Sequence, residues 1–150
     1  MAQTLTRLLV HIVFSTKERR NLIATAVEPA LHAYLGGICR NRDSPALIIG
    51  GTQNHVHLLI SLSKNIALSD LMMTLKKDSS KWIKTNGDAF RGFHWQDGYG
   101  AFSIGESQVA AVTGYICAQK ERHRTVTFED ELVALAERYG VAFDPRYLWT

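Results

Sequence analysis

The segment Asn54-His55-Val56-His57-Leu58-Leu59-Ile60 places two imidazoles two residues apart in a run that reads as a β-strand. Strand side chains at i and i+2 leave the same face, so His55 and His57 point together while Val56, Leu58 and Ile60 point into the opposite layer. Neutral imidazole nitrogens ligate divalent metals, and a rigid strand presents two of them with little ordering entropy left to lose. Two polar residues on a half-solvated sheet face would show the same spacing, because a working metal site needs a third ligand. Further along, Tyr115-Ile116-Cys117-Ala118-Gln119 sets a phenol and an amide four residues apart. On a helix that spacing puts both on one face, about 5–6 Å apart at Cβ. The Gln119 amide oxygen suits a hard cation such as Mg²⁺ or Mn²⁺, and the Tyr115 phenol is a candidate nucleophile. A tyrosine at the edge of a core beside a solvated glutamine has the same pattern.

The elements that must position these residues follow from periodicity. Thr6 to Phe14 is apolar on both parities, as a central strand is. The basic stretch Lys17-Glu18-Arg19-Arg20-Asn21 interrupts it. Thr25-x-x-Glu28 with Pro29 predicts a capping box and a helix running to about Cys39, with Leu31, Tyr34, Leu35 and Ile38 on one face. Asp43-Ser44-Pro45 predicts a turn, 46–49 a strand, Gly50-Gly51 a tight connection, and 55–61 the second arm of a hairpin. From about Ala67 the period becomes helical, with Leu68, Leu71, Met72, Leu75 and Trp82 on one side and a gathering of lysines near the other. Asn86-Gly87-Asp88 ends that helix, and a polar loop from Phe90 to Gly98, expected to be exposed, leads to a strand at 99–104. Ser107 is a candidate cap for a helix whose buried stripe is Val109, Val112 and Ile116. Thr127-x-x-Asp130 opens another, with Leu132, Leu135 and Tyr139, stopped by Gly140. The order predicts an α+β fold: an antiparallel sheet of about four or five strands with helices on one face, a ferredoxin-like sandwich.

Composition sets the limits. With 150 residues, 46% hydrophobic and 21% charged, the chain reads as one globular domain, 1–150, and not as a disordered or collagenous one. It contains no 18-residue uncharged apolar run and no signal-like start, so the expectation is a cytoplasmic protein without a membrane partner. Cys39 and Cys117 have no metal-ligand spacing and fit reduced thiols, with a disulfide between them left open. A formal charge of +3 leans towards polyanionic partners.

Taken together, His55-Val56-His57 and Tyr115-Ile116-x-x-Gln119 resemble the single-tyrosine HUH transposases of the IS200/IS605 type. Val10-His11-Ile12-Val13-Phe14-Ser15-Thr16-Lys17 resembles that family's first strand, Trp95-Gln96-Asp97-Gly98-Tyr99-Gly100-Ala101-Phe102-Ser103 the segment before its tyrosine helix, and Asp144-Pro145-Arg146-Tyr147-Leu148-Trp149 its ending. The resemblance implies a metal-dependent transesterase acting on single-stranded DNA, often hairpin ends of a mobile element. It also implies that His55, His57 and Gln119 bind the metal, that Tyr115 is the nucleophile, and that a homodimer forms in which the tyrosine helix of one subunit can complete the other's site.

The chemistry stands without the name. A divalent cation on two imidazoles and an amide would neutralise a non-bridging phosphate oxygen, and its proximity would favour a phenolate whose ordinary pKa is about 10. The product would be a 5′-phosphotyrosine and a free 3′-hydroxyl, and the retained bond energy lets another 3′-hydroxyl rejoin the strand. Candidate phosphate contacts are Arg19, Arg20, Lys76, Lys77, Lys81, Lys84 and Arg91, and Phe93, His94 and Trp95 are candidate stacking platforms for unpaired bases, with Trp82 and Trp95 equally open to a place in the core. His11, His32 and His123 read as structural. Two rival classes are a non-catalytic single-strand-binding module and a phosphoesterase in which metal-activated water attacks and Tyr115 only binds.

Overall fold

The computed structural model describes residues 2–146 and 148. Tyr147 and Trp149 of the C-terminal motif lie outside the described residues. Strands β1 (Leu9–Ser15), β2 (Ala46–Gly51), β3 (His55–Ser61) and β4 (Gly100–Ile104) alternate with helices α1 (Glu28–Asn41) and α2 (Leu68–Ile83) and are followed by α3 (Val109–Cys117), α4 (Gln119–Arg122) and α5 (Phe128–Arg138). The sheet order is β2-β3-β1-β4 with every neighbouring pair antiparallel, the ferredoxin-like arrangement expected. The register sets Val13 against His57 and Ser15 against His55 across the two central strands.

Even-numbered residues of β1 and β3 (Ile12, Phe14, Val56, Leu58, Ile60) face α1 and α2 and form the main core with Leu31, Leu35, Leu71 and Leu75. Each such buried side chain contributes about 1.5–3 kcal/mol. The opposite face is covered as well, by α3 and α5, through Leu9, Leu59 and Ile116 in one cluster and Val13, Phe102, Phe128 and Leu135 in another. Helices therefore lie on both faces, against the expected single face. The cause is in β1 itself, whose apolar residues occupy both parities and demand cover on each side.

Three local signals resolve differently from expectation. Gly50 and Gly51 stay in β2, and the chain turns at 52–54, where Thr52 N donates to His55 O at 3.1 Å. Glycine is required at position 50 because a Cβ there would sit 2.5 Å from the Ile116 carbonyl oxygen, so its absence lets α3 approach the sheet. The Thr25–Glu28 capping box does not form. Glu28 is turned towards Lys120, and the Thr25 hydroxyl accepts from Gln53 Nε2 at 3.0 Å. Ser107 does not cap α3, which grows out of a 3₁₀ turn at Glu106–Gln108. Thr127 does cap α5, accepting from Asp130 N at 3.1 Å. Both cysteines are free, and burial pushes the Cys39 thiol up to about 11. Among the described residues no helix is long and apolar enough to cross a membrane.

Candidate active site

His55 and His57 leave β3 on the face roofed by α3 and α5, both fully buried, with ring centroids 5.1 Å apart. What joins them is a carboxylate that spacing did not single out. Glu131, in the first turns of α5 and 1% exposed, brings Oε1 to 3.0 Å from His57 Nε2, 3.4 Å from His55 Nε2 and 3.1 Å from His123 Nε2. Its other oxygen accepts from Gln119 Nε2 at 3.0 Å and from the Tyr115 hydroxyl. One carboxylate thus meets three imidazoles, an amide and a phenol.

The Tyr115–Gln119 spacing works as a helix pair even though α3 ends at Cys117 and α4 restarts at Gln119, because the break at Ala118 keeps both residues facing the sheet. Gln119 Oε1 lies 2.9 Å from His55 Nε2 and 3.0 Å from His123 Nε2. Tyr115 packs edge-on against His57 and His11, with the Arg122 guanidinium 4.9 Å from its ring centroid.

The far nitrogens of the strand histidines are held too. His55 Nδ1 lies 2.7 Å from Asn54 Oδ1 and 2.9 Å from Thr52 Oγ1, and His57 Nδ1 lies 2.8 Å from His11 Nε2. Both Nε2 atoms are thereby aimed inward, as a pair of metal ligands requires. His123 is oriented in the same way, its Nδ1 donating to Val126 O at 2.6 Å. His11 and His123 accordingly belong to the site, against the reading of both as structural. His32, with a buried Nε2 that has no hydrogen-bond partner, stays apart beside Glu28.

Electrostatics follow from the burial. Desolvation would raise the Glu131 carboxyl, but hydrogen bonds from His123, His55 and His57 outweigh it and hold the group far below the ordinary carboxylate range. Burial, with the charge and hydrogen bond of Glu131, pushes the Tyr115 phenol well up, opposed by Arg122. Desolvation lowers His57 despite Glu131, and lowers His11 to about 3. His123 goes the other way, since Glu131 more than offsets its burial. Arg122 Nε lies 3.5 Å from Glu131 Oε2, the oxygen that accepts from Tyr115, so its positive charge partly offsets the carboxylate beside the phenol.

Single ligand atoms of His55, His57 and Glu131 lie within 4.8 Å of one another, all buried. Two imidazoles with a carboxylate and an amide oxygen form a mixed N/O set suited to a divalent ion such as Mn²⁺ or Mg²⁺. The donor chemistry therefore fits a cation.

The DNA-contact candidates fare unevenly. Trp95 and Phe93 are buried, Trp95 against Phe14 and donating through Nε1 to Ser79 Oγ at 2.9 Å, so neither can stack on a base. The loop that carries them is pinned by Lys76, whose ammonium donates to Gln96 O and Gly98 O at 2.7 and 2.5 Å and is lowered by its burial. Lys77, Lys81 and Lys84 line an open groove of about 510 Å³ with His94. Arg91 pairs with Asp88 at 3.0 Å and Arg20 with Glu18 at 3.5 Å, while Arg19, in a left-handed turn at φ 55°, lies 3.7 Å from Glu129.

His55, His57, Gln119 and Tyr115 meet within one chain.

The family described as "Transposase IS200 like" matches residues 4–119. Among solved structures, a candidate transposase of Deinococcus radiodurans R1 superposes with a TM-score of 0.63 at 20% identity, covering 79% of this chain and 95% of its own. A REP-associated tyrosine transposase bound to a REP hairpin gives 0.62 at 15% identity, covering 84% and 76%. At these identities the likeness is one of fold. No curated protein matches the chain.

Proposed function

We propose, from the premise that this chain belongs to the IS200-like transposase family and is an HUH-type tyrosine transposase, that it cuts and rejoins single-stranded DNA, folded into hairpins at the ends of a mobile element, through a covalent bond to Tyr115. The observation that carries the reading is the meeting of Tyr115 and the His55–His57 pair on one buried carboxylate, Glu131. The REP hairpin held by the similarly folded transposase supports the choice of DNA.

His55, His57, Gln119 and Glu131 would hold the cation, Mg²⁺ or Mn²⁺. When bound it supplies charge that offsets Glu131 and draws electron density from a phosphate oxygen. Tyr115 Oη attacks phosphorus as the bond from phosphorus to the 3′-oxygen breaks. The phenolic proton is lost to solvent as Oη bonds to phosphorus, and the departing 3′-oxygen takes a proton from solvent. Arg122, beside the Tyr115 ring, favours the negative charge that develops on Oη. His11 and Asn54 hold the imidazoles in the rotation that faces their Nε2 atoms inward. The product is a 5′-phosphotyrosine and a free 3′-hydroxyl, and attack by a second 3′-hydroxyl reverses the step and rejoins DNA. The open lysine groove of α2 is the surface for the duplex part of a hairpin, which it would bind through phosphates in a salt-dependent way. The chain would act as a homodimer, in which the tyrosine helix of one subunit can complete the other's site.

The test is a denaturing gel for a protein–DNA adduct on hairpin-bearing single-stranded DNA with Mn²⁺ or Mg²⁺. An adduct that disappears in Tyr115→Phe and in excess EDTA is the expected result. Strand cleavage that persists in Tyr115→Phe would assign the attack to water.

A further inference from the structure

The direction of attack says where the two halves of the cut strand must lie, given the reading of Tyr115 as the nucleophile of a phosphodiester, on which this inference rests. In-line displacement puts the attacking and leaving oxygens on opposite sides of phosphorus. The leaving oxygen belongs to the nucleotide on the 5′ side of the scissile phosphate, so that nucleotide must lie across the site from Tyr115.

Ring contacts connect Tyr115 to His57 at 5.7 Å, His57 to His55 at 5.1 Å and His55 to His123 at 4.5 Å. His123, the last ring in that series of contacts, lines a cleft of about 660 Å³ between the 18–25 segment, the β2–β3 turn and the start of α5. Tyr115 does not line it. It lines a separate cavity of about 160 Å³ with His11 and Arg138. The large cleft falls within the size of about 300–1,000 Å³ that small organic groups occupy.

Its chemistry differs from that of a phosphate site. The walls carry the amides of Asn21, Gln53 and Asn54 and the hydroxyls of Thr25 and Thr52. The lining carboxylates Glu18, Glu28 and Glu129 outnumber the lining cations Arg19 and Lys120, and both cations lie against carboxylates, Arg19 by Glu129 and Lys120 by Glu28. Such a surface repels further phosphates and offers donors and acceptors to the edge of a neutral base. The α2 groove, with Lys76, Lys77, Lys81 and Lys84 against Asp97, has the opposite balance. Asn54 ties the cleft to the site, since its side-chain oxygen meets His55 Nδ1 and its amide nitrogen donates to Arg19 O at 3.3 Å.

We propose that this cleft binds the base of the nucleotide immediately 5′ of the scissile phosphate, the one that departs with the 3′-hydroxyl, and reads its edge through Gln53 and its neighbours.

Dinucleotides test this directly, because each has a single phosphodiester and the active site therefore fixes its register whatever the natural target sequence. Two isomers with 5-iodouracil as either the 5′ or the 3′ base are photocross-linked to full-length Tyr115→Phe protein with Mn²⁺, and the labelled peptides are mapped. The 5′ isomer should label residues 18–25 or 52–54 and the 3′ isomer should not. Gln53→Ala, a change outside the catalytic cluster, should cut the 5′ isomer's yield about fivefold, the worth of one lost hydrogen bond. Equal labelling by both isomers, labelling elsewhere, or none at all would overturn the proposal. The adduct gel on longer DNA reports separately on the tyrosine chemistry: cleft labelling without an adduct would keep the base site and remove the transesterase reading, and an adduct with labelling elsewhere would do the reverse.

Discussion

The two faces of the sheet solve different problems with the same strands. Towards α1 and α2, β1 and β3 present Ile12, Phe14, Val56, Leu58 and Ile60, and nothing polar interrupts the packing of these strand residues. Towards α3 and α5 the alternate residues of those strands are His11, His55 and His57 set among Leu9, Val13 and Leu59, and the helices answer with Tyr115, Gln119 and Glu131. Burying a lone carboxylate costs several kcal/mol, and here its two oxygens are met by the three imidazoles, the Gln119 amide and the Tyr115 phenol. One face holds the fold and the other, positioned by it, holds the chemistry.

The largest expected effect breaks the second face alone. Glu131→Gln keeps the shape of the side chain but removes the charge that gathers the imidazoles. Adduct formation should fall on the order of 10²-fold, by the loss of a charged ligand of the cation and of the anchor of the imidazoles, with the melting temperature little changed. Retention of parental adduct yield at limiting Mn²⁺ would remove Glu131 from the chemistry. The mirror experiment is Leu58→Ala on the first face. It should destabilise by about 2–5 kcal/mol in denaturant melts, yet leave the rate per folded molecule near the parent's, since Leu58 points away from the site. A rate loss larger than the unfolded fraction explains would mean that the faces are not separable.

How much of this was legible in sequence depends on the range of the interaction involved. The strands, the shared direction of His55 and His57, and the common face of Tyr115 and Gln119 follow from periods of two and 3.6 and were expected in place. Glu131 was not, because Glu129-Asp130-Glu131 reads as acidic residues favoured at a helix start. A signal was present all the same: Phe128, Glu131 and Leu135 fall on one stripe of α5, so a charge sits among its core-facing residues. His123 had a comparable mark, four residues after Gln119. Trp95 stood open between core and platform because a Gly-rich loop suggests exposure, and the structure settles it as core: the loop folds back on Phe14 and is tied by Lys76. Helices on both faces were foretold by the two-sided apolarity of β1, a feature recognised without its consequence.

A smaller perturbation probes the junction between the faces. Gly50 belongs to β2, pairs with His57 and lies under the Ile116 carbonyl. Gly50→Ala should push α3 off the sheet, costing about 1–3 kcal/mol of stability by overpacking and lowering adduct yield because Tyr115 rides on the same helix. If thermal stability falls while adduct yield per folded molecule holds, α3 tolerates displacement without losing its tyrosine.

The smallest expected effect is at the cap of α5. Thr127 Oγ1 accepts from Asp130 N one residue before Glu131, so it fixes the first turn of the helix that delivers the carboxylate. Thr127→Ala should cost about 1 kcal/mol, the usual worth of such a cap, and Thr127→Ser should restore it, because serine supplies the same acceptor. Fraying of that turn lets Glu131 leave the imidazoles part of the time, and only the engaged state can hold a cation. The Mn²⁺ concentration for half-maximal adduct should therefore rise several-fold in the Ala variant, while the rate at saturating Mn²⁺ stays close to the parent's, since metal binding pulls the population back to the engaged state. The distinguishing quantity is the Mn²⁺ titration midpoint and not the plateau. An unchanged midpoint with a lowered melting temperature would show that the cap stabilises α5 without positioning Glu131, and would place the anchoring of that residue in the hydrogen bonds from His123 and Gln119 instead.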